Sequence, residues 1–112
     1  VDAYDGFNRD FHDAIYRATH NAFLAEQAMA LRGRLAAFRR TQLRHGDRIH
    51  RSREEHGQVM AAIARGDGEE AARCMRAHML NAAGALRGYI AAHAAQEQDQ
   101  ERIAAGRHRP EA

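Results

Sequence analysis

The chain has 112 residues, 45% of them hydrophobic and 29% charged, which fits one small domain and leaves little room for a second. Its 17 basic residues, all arginine, alternate with 15 acidic ones, whereas a nucleic-acid-binding domain usually gathers its positive charge on one face. The single cysteine, Cys74, excludes an internal disulfide. No apolar run approaches the roughly 18 residues that span a bilayer, and no secretory signal is visible. We therefore expect no membrane partner and a cytoplasmic location.

Two helices with apolar stripes are predicted in the first part of the chain. The first covers Asp2 to Ala18, where apolar residues recur at steps of three and four: Tyr4, Phe7, Phe11, Ile15 and Ala18. The dipeptide His20-Asn21 ends it, because Asn tolerates the left-handed conformation that terminates helices. The second is predicted from about Ala22 to Leu43, with the same spacing in Leu24, Ala28, Leu31, Leu35 and Phe38.

Two further helices are predicted after the loop at His45-Gly46-Asp47. Ser52 and Glu55 have the spacing of a capping box, so the third helix is expected to begin at Ser52 and to end near Gly66. Asp67 opens a long fourth helix, whose stripe is Ala71, Met75, His78, Ala82, Leu86, Tyr89 and Ile90. These elements predict an all-α antiparallel bundle over residues 1–95. Residues 96–112, rich in Gln, Glu and Arg, are predicted to form a frayed or disordered tail.

The chain contains eight histidines, and their placement is more informative than their number. Those at positions 20, 45, 50, 93 and 108 fall in predicted loops, on a helix flank or in the tail. His12, His56 and His78 instead lie on or beside the apolar stripes of three different helices. One such histidine is usually a packed side chain with an ordinary hydrogen-bond partner. Three such histidines on three helices favour a shared site, because helices of a bundle project facing side chains into a common interior, where metal sites are built.

Asn8 adds an oxygen ligand to this candidate site. It precedes His12 by four residues, so both side chains leave the same face of the first helix. Three imidazoles and one oxygen suit Zn²⁺, Ni²⁺ or a similar divalent ion. The spacing alone leaves open whether the three histidines bind a metal or only pack.

The order of several short motifs resembles a known family. These are Asn8-Arg9-Asp10-Phe11-His12 and the later run of Glu55-His56, Ala62-Ile63, Gly66-Asp67, Met75-Arg76 and His78. Over roughly residues 4 to 90 the chain is similar to the FCD domain, the C-terminal effector-binding domain of FadR-like GntR transcription regulators. The resemblance implies an antiparallel helical bundle that often holds a divalent metal.

The resemblance also implies a ligand set. The family's metal ligands are an acidic residue four before the first histidine, that histidine, and two later histidines. In this sequence these positions are Asn8, His12, His56 and His78. The departure is Asn8, where Asp is the commonest residue in the family. An amide oxygen can ligate but carries no charge, so the metal would keep its full charge for an incoming anion.

Further expectations concern the effector and the extent of the chain. Family members bind small carboxylates in the bundle interior, form homodimers, and contact operator DNA through a preceding winged helix-turn-helix domain. That domain and the first helices of the family domain are missing from this sequence, so we expect it to be part of a longer protein. Arg32 and Arg39, seven residues apart on one border of the second helix's stripe, are predicted to bind the effector carboxylate.

Three functions therefore remain open at the level of the sequence. The first is a metal-dependent ligand sensor without enzymatic activity. The second is a metalloenzyme, although Glu55 projects about 100 degrees away from His56 and is poorly placed as a general base in the same pocket. The third is a metal-free helical dimerisation module. The basic stretch from Arg32 to Arg53 is interpreted as a solvated helix face and loop.

Overall fold

The computed structural model describes residues 2–107, and within this range the chain forms five α-helices and no strand. They are α1 (Asp2–Ala18), α2 (Ala22–Arg34), α3 (Ala36–Gln42), α4 (Arg48–Ala64) and α5 (Gly68–Arg107). The predicted all-α class is confirmed. His108 and the rest of the predicted tail to residue 112 lie outside the described residues. No helix within residues 2–107 has the length and apolar character needed to cross a membrane.

Two predicted helix boundaries agree with the structure. After α1, His20 adopts a φ of 56°, and the side chain of Asn21 caps α2 by accepting a hydrogen bond of 3.0 Å from the N–H of Leu24. Gly66, at a φ of 72°, follows α4. Asp67 then accepts a bond of 3.0 Å from the N–H of Glu70 in the first turn of α5. The left-handed residues thus end α1 and α4, and the polar caps begin α2 and α5, at the positions that the sequence indicates. The left-handed residue after α1 is His20 and not Asn21 as predicted, because Asn21 is extended, with a φ of −117°, and caps α2.

The predicted second helix is broken in two, so its expected continuation from Ala22 to Leu43 is wrong. Leu35 has a φ of −95° and a ψ of 10°, and it separates α2 from α3. Beside the break, the Nε of Arg39 donates a hydrogen bond of 3.2 Å to the carbonyl oxygen of Arg32. A side chain from the next helix thus engages a carbonyl at the end of α2. The apolar period continues across Leu35 and therefore gives no signal of this break.

The third predicted helix begins earlier than Ser52, because α4 starts at Arg48 after Asp47. Ser52 lies in the second turn, is only 1% exposed, and accepts a hydrogen bond of 2.7 Å from the hydroxyl of Tyr4. Its spacing to Glu55 reflects a shared helix face and not a capping box. The prediction of a helix start at Ser52 was therefore wrong.

The fourth predicted helix becomes α5, which is 40 residues long and continues through residues 96–107. Every residue from Ala91 to Arg107 is exposed. The chain measures 74 Å along its longest axis, to which α5 contributes about 60 Å at 1.5 Å per residue. The frayed tail predicted from residue 96 is thus helical as far as Arg107, because Gln, Glu, Arg and Ala favour helix regardless of burial. The division into a domain and a tail stays a prediction.

The centre of the bundle is polar. α4 and α3 pack against α5, and α1 packs against α2. The buried apolar residues are mostly small: Ala25, Leu43, Val59, Ala62, Cys74 and Ala85. The buried polar residues are at least as numerous: Asn8, His12, Arg32, Gln42, Arg48, Ser52 and His78. Because burial of polar groups is unfavourable unless they are paired, this interior indicates a functional site.

Two parts of the sequence are buried or exposed contrary to their pattern. The apolar stripe of α2 and α3 faces outward, with Leu31 58% and Phe38 55% exposed. Conversely, Arg32 is 9% and Arg48 3% exposed, although both belong to the basic stretch interpreted as a solvated face. That interpretation is wrong for these two arginines. Arg48 is held by Gln42 and Glu55, whereas Arg32 is buried with two of its nitrogens unpaired.

Candidate metal centre

Three histidines from three helices meet at one point. The Nε2 of His78 on α5 lies 3.2 Å from the Nε2 of His56 on α4 and 3.3 Å from the Nε2 of His12 on α1. Two imidazole nitrogens bound to one tetrahedral zinc ion are about 3.3 Å apart, given Zn–N bonds of about 2.0–2.1 Å. All three residues offer a nitrogen within 4.8 Å of the others. The spacing fits a shared divalent ion.

Burial keeps all three imidazoles neutral. Desolvation, followed by the charge of Arg32, lowers the pKa of His12 from 6.5 to about 2. Desolvation also lowers the pKa of His56 to about 4. It lowers the pKa of His78 as well, although Glu55 opposes that shift. A neutral imidazole has a free lone pair on one nitrogen, which a metal ligand needs. The three histidines are therefore in the protonation state that allows metal binding.

Asn8 has an unpaired oxygen and shares one face of α1 with His12 of the cluster. It lies one helical turn before His12 and is 5% exposed. Its Oδ1 atom is buried and has no hydrogen-bond partner among the described residues. An unpaired buried amide oxygen is unfavourable by about 1–3 kcal/mol, and a metal ion would satisfy it. The four residues predicted from the sequence therefore fit a divalent ion in chemistry.

The sequence missed the role of Glu55, which the structure places next to His78. The Oε1 atom of Glu55 lies 2.6 Å from the Nδ1 of His78. Because Glu55 is a hydrogen-bond acceptor, Nδ1 carries the proton and Nε2 turns its lone pair to the cluster. Glu55 makes no hydrogen bond to its neighbour His56 within the described part of the chain. It nevertheless contacts the cluster through His78, so the expectation that it lies away from this pocket was wrong. Its hydrogen-bond partner is His78 on α5. The only hint of this role in the sequence is that Glu55 directly precedes His56.

Glu55 is held in turn by three donors. Arg48 binds it in bidentate fashion, with distances of 2.9 Å and 2.7 Å, and Asn81 donates a bond of 3.0 Å. Burial alone would raise the pKa of Glu55, but the hydrogen bonds from Arg48, His78 and Asn81 outweigh it and lower the pKa to about 2. Arg48 also donates to Gln42 at 2.9 Å, which ties this network to the end of α3.

The ring of His56 is oriented by aromatic neighbours. It stacks on Phe11, with ring centroids 4.1 Å apart. Its Nδ1 lies 3.5 Å from the hydroxyl oxygen of Tyr4, a long contact whose hydroxyl proton is already donated to Ser52. These contacts direct the Nδ1 side of the ring to α1 and leave Nε2 for the cluster. Tyr4 and Phe11 belong to the apolar stripe predicted for α1.

Arg32 and Arg39 bring cationic groups to the same interior. The Nε and Nη2 atoms of Arg32 are buried and have no hydrogen-bond partner among the described residues. The charge of Arg32 also lowers the pKa of all three histidines, which reflects its position near them. Arg39 is half-buried, and desolvation lowers its pKa. Both arginines predicted for effector binding thus lie in the bundle rather than on its surface.

Two grooves flank the cluster. One, of about 630 Å³, lies between α1 and α4, and its wall includes Tyr4, Phe7, Asn8, Phe11 and His56. The other, of about 620 Å³, lies between the α3–α4 loop and α5, with His45, Arg48, Glu55, Asn81 and Arg87 in its wall. The first groove reaches two of the four candidate ligands directly, and the second reaches only the groups that hold His78.

The fold and the site together define an all-α domain with a buried three-histidine cluster beside an unpaired arginine. The family model of the FCD domain matches residues 1–82, a range that includes every candidate ligand. The chain belongs to the FCD domain family, the effector-binding regulatory domains of GntR-type transcription regulators. No curated protein and no solved structure gives a significant match to the chain.

Proposed function

We propose that this domain is the ligand-sensing and dimerisation part of a GntR-type regulator and that it binds a small carboxylate at a histidine-held divalent metal. The observation that carries the proposal is the convergence of three Nε2 atoms, in an interior that also contains the unpaired oxygen of Asn8 and the unpaired nitrogens of Arg32. The oxygen of Asn8 and the two nitrogens of Arg32 are buried without a hydrogen-bond partner among the described residues, as expected for a site whose partners are an ion and an anionic ligand.

The metal is proposed to be Zn²⁺ or Ni²⁺, with Asn8, His12, His56 and His78 as its ligands. All four ligands are neutral, and imidazole suits both ions. When bound, such an ion supplies a positive charge that can take a carboxylate oxygen directly. Burial keeps the imidazoles neutral, and Glu55 orients the ring of His78.

The effector carboxylate is proposed to bind Arg32, with Arg39 as a second cationic contact. Nε and Nη2 form one edge of a guanidinium, and this edge binds a carboxylate through two parallel hydrogen bonds. In Arg32 both atoms of that edge are unpaired. A buried, unpaired charge is strongly unfavourable, so a bound carboxylate would stabilise the folded domain.

A metalloenzyme is the weaker candidate because the site lacks a suitable general base. Glu55 is the carboxylate next to the cluster, yet Arg48, Asn81 and His78 occupy its oxygens. Its pKa of about 2 makes it a poor proton acceptor near neutral pH. The family also consists of regulators. We therefore infer a signalling role for the bound carboxylate and not a reaction.

The wider role follows from the family. A GntR-type regulator would contact operator DNA through a separate winged helix-turn-helix domain, as a homodimer, and would do so in the cytoplasm, where bacterial operators lie. Two-fold symmetry suits near-palindromic operators. The exposed apolar side chains of α2 and α3 provide a surface that a second copy could cover.

Thermal unfolding with a panel of carboxylic acids tests this proposal. At a hundredfold excess over its dissociation constant, a ligand that binds only the folded state adds about 2.7 kcal/mol to the free energy of unfolding. We expect some acids to raise the melting temperature of the Zn²⁺- or Ni²⁺-loaded protein and not of the metal-free protein. Arg32→Ala should abolish this stabilisation, and Arg76→Ala, at an exposed position of α5, should retain it. Stabilisation that survives metal removal would contradict metal ligation, and consumption of the acid would favour the enzyme.

A further inference from the structure

The groove between α1 and α4 leads to the histidine cluster. It has a volume of about 630 Å³, and Asn8 and His56 are in its wall. Within the cluster, His12 is 1% and His78 4% exposed, whereas His56 is only partly buried. A ligand that enters the groove therefore meets the cluster at His56. Any part of the ligand that does not reach the metal lies against the rest of the wall.

The rest of this wall is largely apolar and aromatic. Tyr4, Phe7 and Phe11 line it from α1, and Ile49 lines it from α4. The hydroxyl of Tyr4 donates its proton to Ser52, so it is not available as a donor to a ligand. Phe7 is 72% exposed, and a ligand that covered its ring would remove apolar surface from water. The wall therefore favours an apolar ligand body over a polar one.

The aromatic rings at the groove are nearly parallel. The ring planes of Tyr4 and Phe11 lie 19° and 15° from the plane of His56. A planar ligand ring can adopt the same orientation and make stacked contacts, which stabilise aromatic pairs beyond the burial of their surface. An apolar cavity of about 150 Å³ accommodates benzene, so the groove has room for a ring together with a carboxylate. These features favour an aromatic ligand over a saturated one.

The charge in the wall does not favour a second anionic group on the ligand. Among the described residues of the wall, Arg53 carries a charge, and it is exposed. An ion pair at an exposed site contributes little, because water and salt screen it. A second carboxylate would also lie against the aromatic rings, where burial of an unpaired charge is unfavourable. The groove therefore favours a ligand with one carboxylate.

We propose that the effector is an aromatic monocarboxylate whose ring lies in this groove and whose carboxylate lies at the metal. This inference rests on the proposed function, because it names the chemical class of the same ligand. Phe7 is then a specificity-determining residue, because its ring contacts the ligand ring and takes no part in metal binding.

Small acids with different bodies provide the probes. Benzoate, phenylacetate and 3-phenylpropanoate place a flat ring at three distances from the carboxylate, and their cyclohexyl counterparts place a saturated ring there. Acetate lacks the ring, and glutarate carries a second carboxylate instead. Dissociation constants are measured by calorimetry on the Zn²⁺-loaded protein. We expect the tightest aromatic acid to bind at least about tenfold more tightly than acetate and glutarate, because its ring leaves water. It should exceed its cyclohexyl counterpart severalfold, because the flat ring stacks.

Variants of the wall assign this preference to the groove. Phe7→Ala removes a largely exposed side chain, so the fold should tolerate it, and the affinity ratio of aromatic acid to acetate should fall severalfold. Ile49→Ala, on the α4 side of the wall, should lower the same ratio. Phe23→Ala is the matched control, because Phe23 is also 72% exposed but lies on α2, outside the groove. It should leave the ratio unchanged.

The outcomes separate this inference from the proposed function. Acetate or glutarate binding as tightly as the aromatic acids would overturn the inference and leave carboxylate sensing intact. Equal affinities of the cyclohexyl acids would overturn the assignment to an aromatic ring. An unchanged ratio in both Phe7→Ala and Ile49→Ala would also overturn it, and altered sedimentation of these variants would then assign the groove to contact with a second copy. If no acid bound the metal-loaded protein, this inference and the carboxylate proposal would both be contradicted.

Discussion

At the residue scale, the four candidate ligands could be predicted and the residues that orient them could not. Asn8, His12 and His78 are polar residues at buried positions of helical stripes, a conflict that is visible in the sequence. Glu55 carries no such signal, because its partner His78 lies on another helix. The burial of Arg48 follows from its pairing with Glu55 and was therefore equally hidden.

The carboxylate of Glu55 should strengthen metal binding through His78. Glu55→Gln keeps the size of the side chain but removes the charge that fixes the protonated Nδ1 of His78. Loss of such a partner typically weakens metal affinity by about 10–100-fold, which competition with a chelator measures. Glu54→Gln, an exposed neighbour paired with His50, is the control and should bind metal like the parent. Parent-like affinity of the folded Glu55→Gln protein would exclude this role.

The metal-free protein should lose stability as the pH falls from about 7 to about 4. The pKa of His12 is lowered to about 2 and that of His56 to about 4, from 6.5. Below pH 6.5 these two histidines therefore bind protons in the unfolded chain but remain neutral in the folded chain. The free energy of unfolding thus decreases with falling pH. Urea unfolding in the presence of a chelator measures this slope, which His12→Gln should reduce. A stability that rises on acidification would be inconsistent with neutral, buried imidazoles.

At the element scale, the polar residues at two helix boundaries were predicted and interruptions inside a periodic pattern were not. Asp67 caps α5 where the sequence indicates, whereas Asn21, predicted to end the first helix in a left-handed conformation, is instead the N-cap of α2. Ser52 has the same kind of spacing but is buried inside α4 against Tyr4. The break at Leu35 is equally invisible, because a tertiary hydrogen bond from Arg39 accompanies it. Local sequence patterns therefore predict those helix ends that are set by hydrogen bonds between residues near each other in the chain.

The last part of α5 should be dispensable for the site. From Ala91 onward every described residue is exposed, so a chain ending at Ala95 loses no buried contact. We expect its free energy of unfolding to change by less than about 0.5 kcal/mol and its metal affinity to stay the same. A chain ending at Gly84 loses the buried Ala85 and should be clearly less stable. Loss of metal binding on removal of the residues after Ala95 would contradict the proposed division into a domain and a tail.

At the scale of the whole molecule, the sequence predicted the class of fold but not which apolar stripes face inward. The stripe of α2 and α3 has the period of a buried surface, yet Leu24, Leu31 and Phe38 are about half exposed or more. Periodicity identifies an amphipathic face without identifying what covers it. Association with a second copy is the proposed cover, and the homodimer stays a prediction.

Sedimentation over a wide range of concentrations tests this association. We expect a dimer that Leu31→Glu and Phe38→Glu together convert to a monomer, because each change places a charge in the apolar contact. Leu80→Glu, at a 71% exposed position of α5, is the matched control and should remain dimeric. A parent protein that is monomeric at every concentration would contradict the proposed interface.

The metal content of the purified protein tests the central claim most directly. The protein is equilibrated with Zn²⁺ or Ni²⁺, freed of excess ion and analysed beside His78→Ala and His93→Ala, the latter at an exposed position of α5. Removing one of three imidazoles weakens a chelate strongly, whereas His93 lies outside the cluster. The account predicts about one ion per chain for the parent and His93→Ala, and almost none for His78→Ala. Equal metal content in all three proteins, or none in the parent, would contradict it.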